Sequence, residues 1–203
     1  MEINWESQVL SSVSKVIPKL SCLEIDIDKL HEVAAELSED SFSINYEGNT
    51  NTVPKEYIRK TMLINTLNFV FTDFLTSVKY KIENYSDTDA MVYQIDKALD
   101  QGIPLTQGRF MRDMNLKEFK TLFTGNIVMP MADEKVKILN NVGDILVTKY
   151  GGDWINFIDD GPKKLYDNGK GLVERLVRDF KRFDDHSIFE NEKVYFLKLA
   201  QLA

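Results

Sequence analysis

The sequence has little of several things, and each shortage excludes something. Its one cysteine, Cys22, can form neither an intrachain disulfide nor a multi-cysteine zinc site. A chain this poor in cysteine fits a reducing, cytoplasmic setting. Its two histidines, His31 and His186, stand in no His-x-x-x-His or Glu-x-x-His spacing. No metal centre is read from them, and no cofactor is expected. Positive charge is in deficit, with 25 Lys and Arg against 32 Asp and Glu and a net charge of −7. Such a surface lacks the basic footprint of a nucleic-acid binder. No uncharged apolar run approaches about 18 residues, so no membrane span is predicted. The opening MEINWESQVL has no basic stretch before an apolar run, so no signal peptide is read. A glycine-rich phosphate loop and a Gly-x-Ser-x-Gly elbow are missing as well.

What remains is an ordinary globular composition, 43% hydrophobic and 28% charged in 203 residues. That is enough for one domain with a sizeable core. Ile25, Ile27, Leu30, Val33, Ala34 and Leu37 recur mostly at three- and four-residue steps and predict a short amphipathic helix. Asp26 or Asp28 would cap it. Residues 38–54 are polar and hold Gly48, which reads as a flexible exposed loop with a short strand at Phe42–Tyr46. Pro54 suits the start of a helix. Tyr57 to Ser77 then reads as a central buried helix, although Phe69–Phe74 also suits a buried strand.

Tyr80-Lys81-Ile82 reads as a short edge strand. Further helices are predicted over 87–100, 116–123, 133–150 and 172–180. Gly102 with Pro104 stops the first of these, and Gly151-Gly152 the third. Residues 156–171 read as loop-rich, and Val194 to Leu202 as a final apolar segment. The fold class expected is mainly α, one helical domain over residues 1–203 with at most a minor hairpin.

Acidic pairs occur at Asp26/Asp28, Asp87/Asp89, Asp159/Asp160 and Asp184/Asp185. Two carboxylates can divide acid and base roles when their surroundings differ, but caps and loops are the commoner use. Phe69, Phe71, Phe74, Tyr80 and Tyr85 could wall a pocket for a planar ring, and packing in a core is again the commoner use.

Three segments in order carry a resemblance. They are Ile64-Asn65-Thr66-Leu67-Asn68-Phe69-Val70-Phe71, then Lys97-Ala98-Leu99-Asp100-Gln101-Gly102-Ile103-Pro104-Leu105, then Ile138 to Gly143 through Lys149-Tyr150-Gly151-Gly152 and Leu172–Phe183 to Lys198-Leu199-Ala200-Gln201-Leu202. Over residues 53–203 they resemble the queuosine salvage protein family. The resemblance implies an all-helical scaffold similar to DNA glycosylases. It also implies metal-free cleavage of a nucleotide's N-glycosidic bond, releasing queuine, with a carboxylate assisting water.

Residue by residue, it makes Phe69 and Phe71 the pocket-lining aromatics. Asn68 and Asn65 would contact the substrate and orient its polar edges, Asn65 standing where the family carries an acid. Lys198 would contact a phosphate or sugar oxygen. Asp89 is the candidate catalytic carboxylate, because it falls where the family lines its pocket. Thr72, Asp87, Thr88, Asp89 and Leu199 depart from the family's Trp, Gly, Tyr, Trp and Arg. The family continues well beyond residue 203, and its C-terminal half is absent here. The expected partner is a small nucleoside or nucleotide, with no direct nucleic acid and no membrane. A cut-short helical domain would leave Tyr195–Leu202 uncovered, so self-association or a partner chain is expected. The alternative is a non-catalytic pseudoenzyme or interaction module that keeps the scaffold and binds a nucleoside-like ligand or a protein partner.

Overall fold

A computed structural model describes residues 8–21, 24, 26–36 and 53–202. Cys22 and residues 38–52, including the strand expected at Phe42–Tyr46, lie outside the described residues. Among the described residues the structure is mostly helical, with only small two-stranded sheets, and is mainly α as expected.

The helices follow in order. They are α1 (Gln8–Val16), α2 (Ile27–Glu36), α3 (Lys55–Leu67), α4 (Asp87–Asp100), α5 (Gly108–Asp113), α6 (Leu116–Leu122), α7 (Ala132–Lys149), α8 (Trp154–Asp159), α9 (Leu172–Asp179) and α10 (Lys198–Leu202). Strands β1 (Lys81–Ile82) and β2 (Tyr85–Ser86) form one antiparallel hairpin just before α4. Strands β3 (His186–Phe189) and β4 (Glu192–Tyr195) form a second between α9 and α10.

Local chemistry explains several boundaries. Helix α6 starts with a capping box, in which Asn115 Oδ1 accepts from Glu118 N at 3.0 Å and Asn115 N donates to Glu118 Oε2 at 3.2 Å. Asp153 caps α8 by accepting from Ile155 N at 3.0 Å. Helix α7 ends where Gly151 and Gly152 take φ of 62° and 88°, a region that costs glycine nothing.

The core forms around α7, whose residues Leu139, Val142 and Leu146 are buried. Gly143 lies on the same helix, and a Cβ there would fall on the backbone of Gly108 and Arg112. The missing side chain lets α5 press directly on α7. A second aromatic layer joins α8, α9 and the turn after α9. Trp154 and Phe180 have ring centres 4.8 Å apart, and Phe157 meets Phe180 edge-on at 5.3 Å.

Some expectations need correction. The predicted helix of 57–77 stops at Leu67, and the chain then runs as an irregular loop with one bridge, Thr72 to Lys79. Helix α5 forms where no element is predicted, and α8 runs into the stretch read as loop-rich. The amphipathic helix forms at 27–36, but none of its residues is buried. The final apolar segment is mostly covered by the chain itself, because Leu197 and Ala200 are buried in the core while Phe196 stays exposed. Ser12 Oγ of α1 accepts from Tyr195 N at 3.0 Å and ties the hairpin down. The most exposed large apolar side chains among the described residues are Leu75 and Phe74, at 96% and 79%.

Candidate functional site

The last turn of α3 leaves backbone carbonyls without helical donors, as every helix end does. Here two basic side chains from distant elements take them. Arg182 Nε donates to Thr66 O at 2.8 Å, and Arg182 Nη2 to Asn68 O at 3.4 Å. Lys135 Nζ donates to Leu67 O at 3.2 Å and also to Phe69 O. Four successive carbonyls are thus claimed alternately by Arg182 and Lys135. Cations belong at a helix C-terminus, where the aligned peptide dipoles leave partial negative charge.

The same two cations lie close to an aromatic ring. Lys135 Nζ lies 3.7 Å from the centre of the Phe69 ring and 4.8 Å from that of Phe71. Arg182 Cζ lies 4.5 Å from the centre of Phe69. Both distances to Phe69 are in the range of cation–π attraction. Phe69 is half-buried and Phe71 buried. Between them Val70 sits at φ 46°, a conformation a β-branched residue rarely adopts. That turn sends the chain out of the helix toward the Thr72–Lys79 bridge.

Lys135 is fully buried. Burial, with Arg182 nearby, pulls its amine down to about 7. Arg182 is likewise held below the usual guanidinium range by burial, against the pull of Asp185.

The expected site residues distribute as follows. Asn68 closes α3, and its Oδ1 accepts from Thr88 Oγ1 of α4 at 2.9 Å. This bond brings the first turn of α4 to the end of α3. Asp89, one residue on, is exposed, and its carboxylate makes no hydrogen bond or ion pair with the described residues. Asn65 is buried and donates back to Thr61 O at 3.1 Å.

Lys198 is exposed at the start of α10, where its backbone N donates to Asp185 Oδ2 at 3.2 Å. Asp185 follows the turn that carries Arg182, and its other oxygen is buried without a partner. Of the wider aromatic group, Phe71 and Tyr80 are core residues, while Phe74 and Tyr85 point to solvent. Asn68, Phe69 and Phe71 therefore share one turn, and Thr88 joins Asp89's helix to it. Among the described residues no hydrogen bond or ion pair joins Lys198's side chain to that turn.

Sequence reasoning missed Lys135 and Arg182. A signal for Lys135 existed. It stands four, seven and eleven residues before Leu139, Val142 and Leu146, on the apolar stripe of α7. A lysine on such a stripe needs a partner when buried. Among the described residues no cluster of three or more His, Cys, Asp or Glu is placed to hold a metal ion. His31 and His186 are both exposed. No helix of the described residues is long and apolar enough to cross a membrane.

Comparison with known proteins bears on this arrangement. The model of the queuosine salvage protein family matches residues 44–203. The chain is 30% identical over 146 residues to the queuosine 5′-phosphate N-glycosylase/hydrolase of Mus musculus, covering 69% of this chain and 42% of that protein. It is 26% identical over 173 residues to the Bos taurus protein of the same name, covering 82% and 50%. With the Sphaerobacter thermophilus protein of that name the match is 23% over 198 residues, covering 96% and 60%. The chain therefore spans about half the length of the curated relatives it matches. With the family model matched over most of its length, the chain belongs to the queuosine salvage protein family.

Proposed function

We propose that this chain binds a queuosine 5′-phosphate and takes part in cleaving its N-glycosidic bond, releasing the base for salvage into tRNA modification. The observation that carries the proposal is the family match across 44–203, which includes the whole of the turn at the end of α3. The named activity of the relatives supplies the reaction.

The chemistry asked of the site is hydrolysis at an anomeric carbon. The sugar becomes cationic as the base departs, and water adds to it. A carboxylate can hold that water and take its proton. In this reading Phe69 and Phe71 supply the stacking wall, and Asn68 orients a polar edge of the base. Asn65 supports the same helix end from inside. Asp89 is the carboxylate, and Lys198 meets the phosphate by charge. Rigid helix ends suit this work, because displacing a reacting group by an ångström is costly in rate.

The proposed setting is the cytoplasm, with a small nucleotide as partner and neither nucleic acid nor membrane involved. A single domain is proposed. A second copy or a partner chain covering the C-terminal end, where Phe196 is exposed, is proposed as well.

The test is incubation of the chain with queuosine 5′-monophosphate, with released queuine followed by chromatography and binding by thermal shift. Release of queuine is the expected outcome. Stabilisation without release would mean a binding scaffold that lacks its own competent carboxylate. The absence of both release and stabilisation would overturn the proposal.

A further inference from the structure

Two basic side chains converge on one aromatic ring, and neither is needed by the chemistry proposed above. Lys135 comes from α7 and Arg182 from the turn after α9, so they stand 66 and 113 residues from Phe69 in the chain. Each makes two kinds of contact at once. Each binds backbone carbonyls at the end of α3, and each faces the Phe69 ring. The carbonyl contacts fix where the helix stops. The ring contacts fix how Phe69 is turned once the helix has stopped.

A simple helix cap would require only the first kind. One cation placed among carbonyls satisfies a C-terminus, and Arg175 does this alone at the end of α8, where Nη1 donates to Phe157 O at 2.7 Å and Cζ lies 5.0 Å from the centre of that same residue's ring. At α3 there are two cations, and both are turned onto the ring that follows. Burying a lysine completely is expensive. A site that only needed packing could use an apolar side chain at position 135, as α7 does at Leu139, Val142 and Leu146.

We infer that Lys135 and Arg182 are positioning residues, a two-cation clamp that holds the Phe69 ring in the one orientation in which it can stack on a base. The inference rests on the reading of Phe69 as a stacking residue under the proposed function. The clamp acts through Phe69 and touches no ligand itself. Strain at Val70 fits the same picture, because a left-handed valine next to the ring persists only if its neighbours are held on both sides. Asn68, bonded to Thr88, holds the turn from the α4 side.

The test uses the full chain with phenylalanine labelled in the ring with carbon-13. The Phe69 signal is assigned by its disappearance in Phe69→Leu. Lys135→Met removes the charge and keeps the volume. It is expected to leave the melting temperature at or above that of the parent chain, because an unneeded buried charge has gone. It is also expected to split or broaden the Phe69 ring signal and to weaken binding of queuosine 5′-monophosphate at least tenfold. Arg182→Met should act in the same way, and Arg182→Lys should restore a single ring signal in part.

A single sharp Phe69 signal in Lys135→Met overturns the clamp. Equal nucleotide affinity in the parent and in Lys135→Met overturns it as well. If the parent chain does not bind the nucleotide, the proposed function fails while the ring signal still decides the clamp. If Lys135→Met does not fold, the Arg182 pair decides it. A doubled signal in Arg182→Met that narrows in Arg182→Lys supports the clamp, and sharp signals in both overturn it.

Discussion

Arg59 and Asp153 form a two-pronged pair across 94 residues, with Nε on Oδ1 at 2.9 Å and Nη2 on Oδ2 at 2.6 Å. The pair joins α3 to the start of α8. It is partly buried, and Asp153 also caps α8 through Ile155 N. A side-chain hydrogen bond from Arg59 is the main reason the Asp153 carboxyl lies below the usual carboxylate range.

Removing that carboxylate should therefore cost more than a surface ion pair. Asp153→Ala breaks a bidentate contact and a cap together, and about 2–3 kcal/mol of stability should be lost. Asp153→Asn keeps the cap oxygen and should lose less. Urea unfolding of both variants checks this. Equal losses would mean that the cap contributes nothing beyond the ion pair.

Asp179 governs stability in acid. Burial pushes its carboxyl up, but hydrogen bonds from Arg178 and Tyr150 and the charges of Arg178 and Lys149 outweigh this and bring it down to about 2. A carboxyl lower in the folded chain than in the unfolded one stabilises the fold above the unfolded value, near 4. That contribution, about 2 kcal/mol, disappears as pH falls from 4 to 2. Tyr150→Phe removes one donor and should move the acid unfolding midpoint to higher pH. Melting temperatures between pH 2 and 6 test it.

Lys135 works in the opposite range. Its amine titrates at about 7 when folded, well below an unfolded lysine. Between that value and about 10.4 the unfolded chain holds more protons, so stability from this group rises with pH. Arg182 is the charged group facing it. Lys135→Met has no such group. Its stability advantage over the parent should be greatest at pH 7 and below, and should shrink as pH rises toward 9. An advantage independent of pH would contradict the burial of a charged amine there.

Gly143 has no room for even a methyl group. A Cβ would meet the backbone of Gly108 and Arg112 across the α5–α7 contact. Gly143→Ala should lose about 1–3 kcal/mol despite alanine's better helix propensity. By contrast, Gly102 has no atom near its Cβ position, and any cost there comes from its φ of 76° alone. Thermal unfolding of the two variants compares packing with backbone strain.

Activity should separate the site residues. Asp89→Asn should abolish release of queuine while leaving nucleotide binding near that of the parent chain. Lys198→Ala should weaken binding about tenfold, the size expected for one charge-assisted contact of about 1.4 kcal/mol. Binding by calorimetry and release by chromatography give the two readings independently.

Much of this chain was legible before any coordinates. Helix α4 begins and ends where its apolar spacing predicts, at Asp87 and Asp100. Helices α7 and α9 fall within a residue of expectation, because glycines and polar loops bound them. Asn68, Phe69 and Phe71 were picked out from the sequence and do share one turn.

The end of α3 was not legible, and the reason is physical. Nothing between Leu67 and Ser77 is a glycine or proline, so no local signal stops the helix. What stops it is a set of carbonyl acceptors claimed by Lys135 and Arg182, from 66 to 116 residues away. Periodicity is a local property and determined the helices. Where α3 ends, which cations meet there and how they face Phe69 depend on contacts between distant elements, and only the packed tertiary structure decides those.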